Sequence, residues 1–74
     1  MENSNLMKFK PVGWMVQTRE DEHSDKWKCE YNGFGKSERV AKDNFDDSQH
    51  FGYINYLNLF HRNLARLVRI GVME

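Results

Sequence analysis

The sequence predicts an α+β domain of ββαα order: a two-stranded antiparallel β-hairpin, then a short helix and a longer C-terminal helix. Three observations support that reading. Apolar residues alternate in two short stretches, around Val12–Val16 and Trp27–Tyr31. A capping pattern, Ser37-Glu38, opens a segment of helical spacing. The stretch "YINYLNLFHRNLARLVRIG", Tyr53 to Gly71, carries apolar residues at helical intervals over much of its length.

Taken in order, residues 1–6 are polar and expected to lack fixed structure. Pro11 blocks a helix and favours an extended start. Val12, Trp14 and Val16 then alternate with Gly13, Met15 and Gln17, the period of a strand. "REDEHSD" is a polar loop, and "KWKCEY" alternates again with Trp27, Cys29 and Tyr31 on one side. "NGFG" reads as the end of the second strand and a connection to a helix. Ser37 is the expected N-cap, with Glu38 in the first turn near the positive helix end. Val40, Ala41 and Phe45 follow at helical spacing, and Asp46, Asp47 and Ser48 break the helix.

In the last segment Tyr53, Leu57, Phe60, Leu64, Leu67 and Val68 fall on one helical stripe, and Asn55, Asn58, Arg62, Arg66 and Arg69 on another. The expected core is Trp14, Val16, Trp27, Cys29, Tyr31, Val40, Phe45, Leu57, Phe60 and Leu64. Tyr56, Leu59 and Ile70 lie between the stripes, so the apolar arc is wider than a hairpin and a short helix can cover.

Composition narrows the function. A chain of 74 residues has room for one domain. Its core is small, so it needs a partner or dense aromatic packing; ten aromatic residues allow the latter. Cys29 is the only cysteine, which rules out an internal disulfide and a Cys-rich zinc site. Eleven acidic residues balance eleven basic ones, which disfavours both a strongly basic nucleic-acid binder and an acidic DNA mimic. Neither a signal peptide nor an apolar run long enough to span a membrane is apparent, which places the expected site of action in the cytoplasm.

Candidate chemistry is sparse. The acidic loop Glu20–Asp25 lacks the ligand alternation and glycine of an EF-hand. His23, His50 and His61 are too far apart for a helical zinc pair. Cys29 reads as a small buried hydrophobe, and Gly33 and Gly35 form no phosphate loop. No catalytic residue, metal or cofactor is expected.

The order Trp14-x-Val16, Trp27-x-Cys29-x-Tyr31, Gly35-x-Ser37-Glu38 and Val40-Ala41 resembles small accessory proteins of phage and prophage early regions, among them anti-CRISPR proteins and other host-takeover inhibitors. The resemblance covers Val12 to Phe45. It implies an inhibitor or adaptor acting stoichiometrically in the host cytoplasm and assigns no functional residue.

The expected function is a non-catalytic protein-binding module that contacts a protein partner, or a second copy of itself, through its C-terminal helix. The expected contact residues are Tyr56, Leu59, Arg62, Arg66, Arg69 and Ile70. The alternative is a nucleic-acid-binding regulator with Arg62, Arg66 and Arg69 on phosphates, assisted by Lys8, Lys10 or Lys28. Neither reading involves a membrane or a small-molecule substrate.

Overall fold

A computed structural model describes residues 9–49 and 54–73. The segment 1–6, His50 and Tyr53 lie outside the described residues. The elements run β1 (Phe9–Thr18), β2 (Lys28–Gly35), α1 (Glu38–Asp47), α2 (Tyr56–His61) and β3 (Ala65–Met73). The strands form one antiparallel sheet in the order β2-β1-β3. The expected hairpin and short helix are present, but the ββαα architecture is not. The sheet has a third strand, and the expected long C-terminal helix is a six-residue helix followed by that strand.

The helix stops at a local signal. Asn63 follows the C-cap Arg62 with φ 62°, the left-handed conformation that Asn tolerates better than most residues. The Asn63 amide donates to the Phe60 carbonyl at 2.9 Å and the Leu64 amide to the Leu59 carbonyl at 2.8 Å. This paired reversal is a Schellman motif, which satisfies the last helical carbonyls and turns the chain away. Beyond it, "ARLVRIGV" alternates Arg66, Val68 and Ile70 with Ala65, Leu67 and Arg69. The surplus of apolar residues in this segment therefore belongs to a strand with nonpolar side chains on both faces.

β1 is the central strand, although it contains Pro11. β2 pairs only with Trp14–Thr18, so Pro11 lies where β1 has outrun its neighbour and the sheet loses no hydrogen bond. On the other side Pro11 sits opposite Gly71, next to a register shift. A second irregularity separates the pair Met15↔Phe34 from Val16↔Glu30, so Tyr31, Asn32 and Gly33 are extra residues on β2. The Asn-Gly pair thus marks a bulge inside the strand. That bulge throws Tyr31 outward, where it is 80% exposed.

The helices cover one face of the sheet. Val16, Phe45, Tyr56 and Ala65 form the buried cluster, with Leu59 and Leu67 packed against it. α1 approaches so closely that a Cβ on Gly35 would lie 2.4 Å from the Ala41 nitrogen, and one on Gly33 2.8 Å from Val16 Cβ. Ser37 caps α1 as expected, accepting from the Val40 amide at 3.2 Å.

The core differs from expectation where the helices are rotated. α1 buries Ala41 and Phe45 and leaves Val40 exposed. α2 buries Tyr56, half-buries Leu59, and turns Leu57 (60% exposed) and Phe60 (52%) to the surface. Val16, Phe45 and Leu64 are buried as expected. Trp14, Trp27 and Cys29 are half-buried.

Candidate protein-binding groove

An open groove of about 630 Å³ runs between α1 and α2 on the helix-bearing side of the sheet. Trp14 of β1 and Leu67 of β3 lie at its base, and Tyr56, Leu57 and Phe60 of α2 form one wall. Glu38, Lys42, Asp43 and Asp46 of α1 line the other. Helical periodicity accounts for the two walls. Positions 38, 42 and 46 recur every four residues along one face of α1, and 56, 57 and 60 share one side of α2.

Short-range bonds hold the walls together. Asn55 caps α2, accepting from the Asn58 amide at 2.9 Å. The Tyr56 amide donates to Asp46 Oδ1 at 2.8 Å, tying the start of α2 to the end of α1. The Tyr56 and Phe60 rings stack at 5.7 Å, and the Lys42 ammonium lies 5.8 Å from the Tyr56 ring centre. Burial raises the Tyr56 phenol above its ordinary pKa, and the negative charge of Glu38 adds to the shift. The groove therefore offers aromatic and aliphatic surface beside three carboxylates and two cations, Lys42 and Arg66.

Of the expected contact residues, Tyr56 and Arg66 line the groove, and Leu59, Arg62, Arg69 and Ile70 do not. Tyr56 is buried and Leu59 half-buried in the core, where their methyl and ring surfaces are already used. Ile70 is half-buried opposite Gly13 on the helix-free face of the sheet. The three arginines do not share a face, because the helix that would align them ends before Arg66. Arg62 is the exposed C-cap of α2. Arg66 packs over the Trp27 ring at 4.1 Å, its Nε donating to Gln17 Oε1 at 2.8 Å. Arg69 extends over Trp14 at 5.3 Å, on the helix-bearing side.

The other candidates have structural partners. Arg19 anchors the acidic loop: its Nη1 donates to the Ser24 carbonyl and its Nε to the Asn63 carbonyl, both at 2.9 Å. Within that loop Asp21 Oδ1 accepts from the His23 amide at 2.8 Å, a local turn rather than a converging ligand set. Cys29 Sγ accepts from Gln17 Nε2 at 3.4 Å. Among the described residues no three His, Cys, Asp or Glu side chains come together as metal ligands, and no helix is long and apolar enough to cross a membrane.

No family model matches the chain, and neither a curated protein nor a solved structure does so at a significant level.

Sequence reasoning placed Trp14, Leu57 and Phe60 in the core, although they line the groove. Their spacing carries no signal that distinguishes the two environments. What decides between them is the phase of α2, set by the Asn55 cap and the Asn63 reversal.

Proposed function

We propose that the protein is a non-catalytic protein-binding module whose groove receives an apolar segment of a partner protein carrying a lysine or arginine. The observation behind this reading is the pair Leu57 and Phe60, more than half exposed side by side on the wall of a groove with Trp14 at its base. Exposed apolar surface concentrated in a concavity is the usual mark of a contact site, and aromatic residues dominate such contacts. Glu38, Asp43 and Asp46 outnumber Lys42 and Arg66 around the groove by one, which favours a single basic side chain on the partner. Such a module would act by stoichiometric occupancy, as the resemblance to phage-type inhibitors implies.

The test is selection of a random peptide library on the immobilised full-length protein. Enriched peptides should combine apolar anchors with Lys or Arg. Their affinity should fall at least about tenfold with Phe60→Ser or Leu57→Ser, the loss expected for about 1.4 kcal/mol of contact energy. Val40→Ser, outside the groove, should bind as wild type does. Enrichment of peptides that bind Phe60→Ser equally well, or no enrichment, would contradict the proposal.

A further inference from the structure

We infer that a second copy of this chain pairs antiparallel with the outer edge of β3, joining two sheets into one of six strands in the order β2-β1-β3-β3-β1-β2. The inference does not rest on the groove: it uses the backbone of β3, of which the groove takes only the side of Arg66 and Leu67.

Among the described residues β3 is flanked by β1 alone, and no strand lies along its other edge. The phase of that edge follows from one bond. The Arg19 amide donates to the Leu64 carbonyl at 3.0 Å, which makes Arg19 and Leu64 a hydrogen-bonded pair in the antiparallel ladder. Continuing the register, Gln17↔Arg66, Met15↔Val68 and Gly13↔Ile70 are pairs of the same kind. Arg66, Val68 and Ile70 therefore direct their backbone groups inward to β1. Ala65, Leu67 and Arg69 direct theirs outward. β3 has no proline, and its one charge on the helix-bearing side, Arg69, is held over Trp14, so an edge of this length is a template for another strand.

A second copy fits because the strand can pair with itself without opposing like charges. A two-fold axis at Arg66 or Arg69 would set an arginine against its own copy, and like charges directly opposite are destabilising. An axis at Val68 avoids this and pairs seven residues, Ala65 to Gly71, where an axis at Leu67 would pair only five. The Val68 axis places Arg69 opposite Leu67 and Arg66 opposite Ile70, and both guanidinium groups stay on their own partners, Trp14 and Trp27. The two Val68 side chains then meet on the helix-free face, each beside its own Met15. Ala65 to Gly71 pair reciprocally, with outward backbone groups matched to outward ones. The formal charge of zero adds no long-range repulsion between copies.

Two measurements on the full chain test the pairing. Sedimentation equilibrium should give twice the 8.9 kDa chain mass as concentration rises. Arg69→Pro, which removes an outward amide together with the guanidinium over Trp14, should remain at the monomer mass with an unchanged far-UV circular dichroism spectrum, whereas Arg69→Ala, which keeps the amide, should still pair. In a Cys29→Ser background, Val68→Cys should form a disulfide-linked dimer under mild oxidation. Opposed residues in a pair without mutual hydrogen bonds lie about 4.5 Å apart at Cα, within disulfide reach. Gln17→Cys, on the central strand, should cross-link far more slowly. A wild-type mass of one chain at millimolar concentration, or cross-linking no faster at Val68→Cys than at Gln17→Cys, overturns the inference.

Discussion

Single residues explain how so short a chain closes a core. Gly35 and Gly33 let α1 lie directly on the sheet, and α1 carries Ala41 at the closest point for the same reason. A methyl group at position 35 would meet helix backbone at 2.4 Å, which cannot swing aside as a side chain could. Gly35→Ala is therefore expected to destabilise the protein by about 2–3 kcal/mol, seen as a lower urea midpoint. Tyr56 gives a second expectation. Its phenol has a raised pKa in the fold, so the folded state holds its proton more tightly than the unfolded chain. The corresponding stability is fully present below the unfolded value, about 10, and is lost as pH rises through the folded value. Urea midpoints should fall between neutral and strongly alkaline pH, and Tyr56→Phe should show a smaller fall.

At the scale of elements, the decisive event is the change from α2 to β3. Asn63 occupies a backbone conformation that costs an alanine roughly 1 kcal/mol or more, and a glycine almost nothing. Asn63→Ala should lower the thermal midpoint, whereas Asn63→Gly should leave it close to wild type. The same position shows why this part of the fold was hard to read from sequence. Leu57, Phe60, Leu64, Leu67 and Val68 satisfy a helical period, yet residues 65–72 also satisfy a strand period, and short apolar runs fit both. The signs favouring a strand were Asn63 at a helix end and the cluster Val68, Ile70 and Val72 after it. The hairpin was legible because Val12, Trp14 and Val16 satisfy only one period. Its bulge was not, since Asn32-Gly33 marks a turn or a bulge with the same two letters. The groove depends on the rotation of two helices about their axes, which no local pattern specifies.

For the whole molecule, one side chain joins distant parts. Arg19 leaves the end of β1, bonds the hairpin loop at Ser24 and the α2–β3 turn at Asn63, and lies 4.5 Å from the Trp27 ring centre. Arg66 covers the same ring at 4.1 Å. Lysine offers one charged nitrogen in place of a planar fork, so Arg19→Lys should lose one of these bonds and cost about 1–2 kcal/mol. Amide hydrogen exchange would show it as faster exchange at the loop and at the turn together. The central position of β1 has a further effect, on the order of assembly. Its register partners in β3 run from Ala65 to Met73, so the first of the three strands to be made pairs with the last of the three. While the intervening chain is synthesised, β1 has only β2 beside it, and one row of its backbone groups faces water. Newly made chains in that interval are the ones most exposed to mispairing with each other.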